Sequence, residues 1–400
     1  MKVLILHNDL RVYWKRRLSY LKTFLQSKNI DLSVIELFGK GSPYSFDPYE
    51  NQESWWNCLF PDDNDHELSK QVIKKALFTK LRDIDPDVII AGSIVFYSGA
   101  LGLRWAKHNR KKFIMFDDAK PSNVKRNFLI QGIKDTITKQ IDALWLPSYD
   151  YDEEYASLYS RKSIHFFYGY NCIDNQLFKF NQEKKFNNRK IICVARLVPI
   201  KNLAGLLNAW KQVENKNSTD TLVILGDGAQ YTELVELQHT LKLQRVQFLG
   251  ALSNEIIPQY LFEADAFILP SWSESWGLVV NEAMAAGLPV LLSKRINAAD
   301  TLLIEGINGF SFCPSDIQGM ADQVIRFINL PEREKTIMSA NSLEIIDSMD
   351  YENMGNELLT ALELLSSYPV KKRGLLSKLL ISLWNGRYNT RGWDYVEKKS

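Results

Sequence analysis

Two glutamates eight positions apart, Glu274 and Glu282, bracket a glycine in the segment Leu269–Val290. A strand ends at Pro270 and a Ser/Trp-rich loop follows. A helix begins near Gly277 and stops at Gly287, since glycine is the favoured helix terminator. Backbone N–H groups of Gly277, Leu278 and Val279 would point out of that helix start, where the dipole adds to their pull on an anion. Gly277 lacks a side chain, so a diphosphate can come close to the backbone. At ~1.5 Å per residue the two acids stand ~12 Å apart in an uninterrupted helix, on either side of the anion position. Carboxylates accept hydrogen bonds and repel phosphate, so their natural partners are hydroxyls flanking a diphosphate. A nucleotide sugar offers ribose hydroxyls at one end and sugar hydroxyls at the other. The helix dipole alone also favours acids near a helix start, and that is the bland alternative for either glutamate taken singly.

Three further stretches end predicted strands. Val194-Ala195-Arg196-Leu197 is followed by Lys201-Asn202 at the start of a helical run; Arg196 and Lys201 are either surface charges or two cations over a diphosphate, stabilising a leaving nucleotide. Leu225-Gly226-Asp227-Gly228 is a tight glycine turn, either a plain strand-to-helix turn or one that lets the backbone approach a ligand. Phe248-Leu249-Gly250-Ala251 ends another strand where a loop can meet a nucleobase. All lie at predicted carboxyl ends of parallel strands, where open α/β sheets bind ligands.

The elements that must position these residues are short apolar runs alternating with amphipathic stretches. The strand candidates are Val3–His7, Leu32–Leu37, Val88–Gly92, Phe113–Phe116, Ala143–Pro147 and Ile164–Gly169, then Ile191–Ala195, Leu222–Gly226, Val246–Gly250, Ala266–Pro270, Pro289–Ser293 and Gly309–Phe312. Most are continuous rather than alternating, as in parallel strands buried on both faces. Two successive doubly wound α/β units follow. Residues 1–178 form the first, 186–350 the second, and 351–400 a helical, basic tail returning to the first. The boundary falls near residue 180, in the polar stretch Asn175–Arg189. Gly39–Asn64 reads as a long loop inside the first unit.

Four hundred residues suit two domains, and 46% hydrophobic with 24% charged residues is near the globular average, so most of the chain should fold. A net charge of +2 argues against a nucleic-acid binder. Cys58, Cys172, Cys193 and Cys313 form no CxxC pair, which disfavours zinc and suits reduced thiols in a cytoplasmic protein. Met1–His7 is too short for a signal peptide and reads as a first buried strand. No run approaches the roughly 18 apolar residues of a membrane span.

Together these pieces resemble glycosyltransferase family 4, the group 1 glycosyltransferases. The matching pieces are the ARL…K run at Ala195–Lys201, the GDG turn, the FLG at Phe248–Gly250, the E-x7-E of Glu274 and Glu282, the GLPV that follows, and Glu305–Phe310. They cover about Tyr168 to Pro314 in family order. The resemblance implies a GT-B fold, two Rossmann-like domains facing across a cleft. It implies Arg196 and Lys201 on the diphosphate, Glu274 on the donor-sugar hydroxyls and Glu282 on the ribose. Gly226, Asp227, Gly228, Gly250, Ser275, Trp276, Gly277, Leu278 and Val279 would line the donor site. It also implies retention of anomeric configuration without a dissociable metal, and no cofactor beyond the nucleotide-sugar co-substrate. The acceptor would be a carbohydrate or lipid-linked glycan held by the first domain, in cell-surface polysaccharide or glycoconjugate synthesis.

The first half departs from the family pattern. His7-Asn8-Asp9-Leu10-Arg11 replaces a glycine-rich loop, and Phe116-Asp117-Asp118-Ala119 replaces a site histidine. Asp117 or Asp118 hydrogen-bonds the donor sugar or the acceptor, or else caps a helix. These departures keep two alternatives open, a nucleotide-sugar epimerase and a non-catalytic nucleotide-sugar-binding relative. Leu10–Ile30 and residues 371–384 are basic amphipathic stretches. Each either packs its apolar face on the protein or lies on an anionic membrane, giving a peripheral location at its inner face.

Overall fold

The computed structural model describes residues 1–10, 13–40, 53–64, 67–120, 128–158, 164–180, 184–186, 189–216, 219–371 and 374–386. It divides into two compact units, one of Met1–Tyr170 with the chain from Tyr351 to Gly386, the other of Asn171–Asp350.

The first unit runs β1 (Lys2–His7), α1 (Tyr13–Ser27), β2 (Asp31–Phe38), β3 (Trp56–Phe60), α2 (Lys70–Ile84), β4 (Val88–Gly92), α3 (Tyr97–His108), β5 (Lys112–Phe116), α4 (Phe128–Thr138), β6 (Ala143–Trp145), α5 (Asp152–Leu158) and β7 (His165–Phe167). The strand order is β3-β2-β1-β4-β5-β6-β7 and every ladder is parallel. All five residues of β4 and of β5 are buried, because helices cover both faces of the sheet. The order reverses between β1 and β4, which opens a crevice at the carboxyl ends of those strands.

β3 corrects the expectation of an unbroken loop over Gly39–Asn64; residues 41–52 lie outside the described residues. Its sequence, WNCLF, has a single buried position, Trp56, whose indole N–H donates to the buried Glu36 at 2.9 Å. An edge strand so lightly buried needs its neighbour to hold it, so it carries little periodic signal. Helix α1 takes the bland alternative for Leu10–Ile30: Leu18, Leu21 and Leu25 are fully buried against the unit. Arg11 lies outside the described residues.

The second unit runs β8 (Lys190–Val194), α6 (Leu203–Asn215), β9 (Thr221–Leu225), α7 (Tyr231–Thr240), β10 (Val246–Gly250), α8 (Ile257–Glu263), β11 (Ala266–Leu269), α9 (Leu278–Ala285), β12 (Val290–Ser293), α10 (Asn297–Leu302), β13 (Gly309–Phe312), α11 (Ile317–Ile328) and α12 (Glu332–Asp347). The order is β10-β9-β8-β11-β12-β13, again parallel throughout, and it reverses between β8 and β11. Helix α6 shows why these segments are helical: Leu203, Leu206, Leu207, Trp210 and Val213 repeat at helical spacing and are all buried. Each such aliphatic side chain stabilises the fold by roughly 1.5–3 kcal/mol.

The chain then returns to the first unit through α13 (Tyr351–Ser367), which packs on α1, and α14 (Leu375–Leu383), which packs on α3 and α4. Lys112 Nζ donates to the carbonyls of Tyr368 at 2.7 Å and Pro369 at 3.0 Å, and Lys371 to that of Ile141. Lys372 and Arg373 lie outside the described residues.

Candidate functional site

At the carboxyl ends of β8, β9 and β10 the backbone is stitched directly. Ala195 N–H donates to Leu225 O at 2.9 Å, Leu197 N–H to Asp227 O at 2.9 Å, and Gly226 N–H to Gly250 O at 2.8 Å. A Cβ at Gly226 would lie 2.0 Å from Ala195 O, and one at Gly228 would lie 2.6 Å from Leu197 O. Gly226 also has a φ of +137°. The structure therefore gives these glycines a reason inside the protein: the GDG turn lies against the turn that carries Arg196. Asp227 is exposed, and its carboxylate closes the turn by accepting Gly228 N–H at 2.7 Å. Gly250, with φ of +72°, faces open space.

Lys201 is delivered by a single tight turn, Pro199–Lys201, that Asn202 ends in the left-handed conformation. The buried Asn202 amide donates to Pro270 O at 3.1 Å and Pro314 O at 2.9 Å, and Trp272 N–H donates to Ile200 O at 2.8 Å. These bonds fix the β8–α6 turn against the β11–α9 loop. In consequence Lys201 Nζ donates to Glu274 Oε1 at 2.5 Å, and the buried Ser271 hydroxyl donates to the same oxygen at 2.7 Å. Both side chains are largely withdrawn from water, 15% and 14% exposed, where a charge-assisted bond counts for more than on an open surface.

Glu274 is held from behind as well. Its N–H donates to Arg295 O at 3.2 Å, while Asn297 donates its own N–H to Glu274 O at 3.3 Å and its side-chain amide to Ser275 O at 2.9 Å. Ser275 is exposed. Trp276, read from the sequence as lining the donor site, turns its indole inward. It is 2% exposed, and its indole donates inward to Asn281 Oδ1 at 2.9 Å; the Asn281 amide in turn donates to Asn171 O at 3.0 Å. Trp276 thus anchors the loop.

Gly277 then opens α9 with φ of +101°, a conformation only glycine adopts readily. Among the described residues the N–H groups of Gly277, Leu278 and Val279 have no acceptor, as expected of a helix start. Glu282, one turn further, is partly buried; burial pushes its carboxyl up to about 8 and nothing offsets that shift. Cys193, close to Lys201 and Glu274, is pushed up to about 12 by burial and is inert as a nucleophile. Sequence reasoning missed Ser271, Asn202 and Asn297, whose polar side chains at strand ends and helix starts were the available signal.

In the first unit, Asp117 Oδ1 accepts Ala119 N–H at 3.1 Å, closing a turn. The Tyr151 and Tyr155 hydroxyls donate to the carbonyls of Asp118 at 3.0 Å and Ala119 at 2.8 Å. The buried Tyr170 hydroxyl is held well above its ordinary value by burial and then by Asp118 and Asp117. Beside them lies an aromatic group the sequence did not reveal. The His7 ring is 4.9 Å from Phe96 and 5.5 Å from Phe116, and Trp14 is 5.0 Å from Phe116 and 6.1 Å from Tyr170. Burial lowers the His7 pKa, so the ring favours its neutral form. His7, Trp14 and Phe96 are only partly buried, at the carboxyl ends of β1 and β4.

Among the described residues no group of three or more His, Cys, Asp or Glu side chains is placed to hold a metal ion, and no helix is long and apolar enough to cross a membrane.

Comparison with known proteins matches residues 174–342 to the family described as glycosyl transferases group 1. The chain is 25% identical over 227 residues to a glycogen synthase of Mycobacterium tuberculosis, covering 56% of this chain and 55% of the relative. It is 28% identical over 186 residues to a GDP-mannose-dependent monoacylated alpha-(1-6)-phosphatidylinositol monomannoside mannosyltransferase of Corynebacterium glutamicum, covering 43% of this chain and 46% of the relative. The matches thus span about half the length of these curated relatives. In structure it is similar to a sucrose-phosphate synthase from Thermosynechococcus elongatus, with TM-score 0.74, 17% identity, and 92% of this chain and 100% of that one covered. It is also similar to HepE of Anabaena solved with UDP, with TM-score 0.70, 17% identity, and 91% and 100% covered. The fold is therefore GT-B, and residues 174–342 are similar to the group 1 glycosyltransferases.

Proposed function

We propose that the chain is a retaining glycosyltransferase that moves a hexose or related sugar from a nucleotide-sugar donor to a carbohydrate or lipid-linked glycan acceptor, in cell-surface polysaccharide or glycoconjugate synthesis. The observation that carries the proposal is the Lys201–Glu274 pair beside the start of α9. A diphosphate at that start would accept from the N–H groups of Gly277, Leu278 and Val279, with Lys201 and Arg196 adding positive charge. Glu274 uses one oxygen on Lys201 and Ser271; its other oxygen accepts from donor-sugar hydroxyls. Glu282, beyond the anion position, serves the ribose. Support for a nucleotide-linked donor comes from HepE, solved with UDP and with UDP-glucose, and from the Corynebacterium relative, which is GDP-mannose-dependent.

When the sugar–phosphate bond breaks, negative charge grows on the departing diphosphate. Preorganised N–H groups and two cations stabilise that charge most in the transition state, which is what accelerates the step. The departing phosphate oxygen takes the acceptor proton on the same face, so configuration is retained without a protein nucleophile. The same cations make a dissociable metal unnecessary, so activity is expected to survive chelators. The first unit holds the acceptor against His7, Trp14 and Phe96, with Asp117 and Asp118 nearby. Thermal-shift screening against UDP-, GDP-, ADP- and dTDP-sugars tests the donor half, since a ligand that binds only the folded state raises its apparent stability. No shift with any of them sinks the proposal.

A further inference from the structure

After α14 the chain comes back to the loop beside His7. The helix stops at Leu383 and the backbone leaves it extended, with φ of −74° and ψ of 122° at Trp384. The Trp384 indole N–H then donates to Ile94 O at 2.8 Å, in the loop of residues 93–96 that joins β4 to α3. Ile94 is 2% exposed, so its carbonyl has no ready access to water and depends on a protein donor. Gly386 follows with φ of +79°, and a Cβ there would lie 2.8 Å from Val95 O and 3.0 Å from the Phe96 carbonyl carbon.

Helix α3 grips the same segment further along. Arg104 Nε donates to Ile381 O at 3.0 Å, and its Nη2 to Asn385 Oδ1 at 3.0 Å and to Trp384 O. The rigid guanidinium fork thus fixes the end of α14 at three points. The strand leaves the loop no slack either. A Cβ at Gly99 would lie 2.3 Å from Gly92 O and 2.5 Å from Ser93 O, so the start of α3 lies directly on the end of β4.

What the loop carries is Phe96. Its N–H donates to Ser93 O at 3.0 Å, its carbonyl accepts Ala100 N–H at 3.0 Å, and its ring stands 4.9 Å from the His7 ring. Phe96 is half-buried, so burial alone does not fix it. We propose that residues 384–386 hold this loop in place, and that Trp384 is a positioning residue for Phe96, acting through the Ile94 carbonyl. Misplacing a binding group by about 1 Å can cost roughly 100-fold in rate, so support this far from the substrate matters. The consequence for the acceptor rests on the proposed transfer reaction; the hold on the loop does not.

Amide hydrogen exchange and the titration of His7, both on the full chain, test it without any substrate. Trp384→Phe keeps a ring but loses the N–H. It should speed exchange at the Phe96 and Ala100 amides roughly threefold to tenfold and leave the amides of β1 and β5 unchanged. Burial holds the His7 pKa below its ordinary 6.5 against the pull of Asp9, so a loosened Phe96 should let it rise. Gly386→Ala pushes on the loop rather than releasing it, and should alter both readouts with Trp384 intact.

The p-nitrophenyl glycosides of glucose, galactose and mannose serve as probe acceptors. Trp384→Phe should raise the acceptor KM about threefold to tenfold while kcat and the thermal shift with the nucleotide sugar stay in place. Added to Phe96→Ala it should do little more, because both act through one ring. Unaltered exchange at Phe96 and Ala100 in both loop variants, with His7 unmoved, overturns the proposal. So does a KM effect of Trp384→Phe that simply adds to that of Phe96→Ala. Faster exchange with every acceptor KM unchanged in Phe96→Ala leaves the hold on the loop standing and removes the acceptor from Phe96.

Discussion

Lys201 and Glu274, 73 positions apart in sequence, meet at 2.5 Å because the turns after β8 and β11 are bonded to each other through Asn202 and Trp272. The pair ties an acid to a cation beside a helix start that offers three open N–H groups. Glutamine at 274 would still accept from Ser271 and Lys201, but without the charge that orients the ammonium group. Glu274→Gln is thus expected to melt close to wild type and to lose roughly 100-fold or more in turnover. Glu274→Ala should lose turnover similarly and also about 1–3 kcal/mol of stability, because Lys201 and Ser271 lose their acceptor. Steady-state rates beside thermal melts separate the effects; full turnover in the glutamine variant refutes the role.

Glu282 should make stability depend on pH. Burial raises its carboxyl to about 8 in the folded state, against an ordinary value of 4.5. The folded protein therefore holds a proton that the unfolded chain releases between those values. Stability contributed by the neutral form is complete below about 4.5 and is lost as pH rises through about 8. Glu282→Gln stays neutral at every pH, so its melting temperature should draw ahead of wild type from pH 5 to pH 8.5. Ribose hydroxyls donating to this group favour its ionised form, so nucleotide binding near neutral pH should release a proton. Calorimetry in two buffers of different ionisation enthalpy detects that release. A constant gap between the melts, with no proton released, would remove both expectations.

Much of this was legible before the structure, for physical reasons. Val88–Gly92 is an uninterrupted apolar run, Val246–Gly250 and Gly309–Phe312 are apolar but for Gln247 and Ser311, and all three are strands with those bounds. Gly277 and Gly287 were readable as the ends of α9 because both need a positive φ. What stayed hidden depends on distant partners. Trp56 is buried through Glu36, 20 positions earlier, and Trp276 turns inward because a buried amide at Asn281 awaits it. The aromatic group around His7 joins residues as far apart as Trp14 and Tyr170, which no local pattern connects.

Gly226 and Gly250 both have positive φ but differ in what lies beyond them. A methyl group at Gly226 would collide with Ala195 O at 2.0 Å, whereas at Gly250 it would meet nothing within 4 Å. Gly250→Ala should cost only the conformational term, about 1–2 kcal/mol. Gly226→Ala should cost more, because the Arg196 turn must also shift, adding about 1–3 kcal/mol. Donor binding should weaken in the Gly226 variant beyond what the stability loss explains. Equal melting temperatures for the two variants would show that the backbone contact is easily relieved.

Trp14 offers a test of the acceptor half that leaves the donor half untouched. It is partly exposed, packs on Phe116 and Tyr170, and carries the buried Arg17 guanidinium 4.6 Å from its ring. A flat aromatic face at the mouth of a site binds the apolar face of a sugar ring by area and shape, with polar neighbours such as Asp118 fixing orientation. Removing it should weaken acceptor binding more than it slows transfer. Trp14→Ala is therefore expected to raise the acceptor KM about tenfold, with kcat changed less than about threefold and an unaltered thermal shift with the nucleotide sugar. Phenylalanine keeps an aromatic face, so Trp14→Phe should recover most of the loss. A merely structural role would lower the melting temperature and reduce kcat while leaving KM in place, and that pattern would move the acceptor away from His7, Trp14 and Phe96.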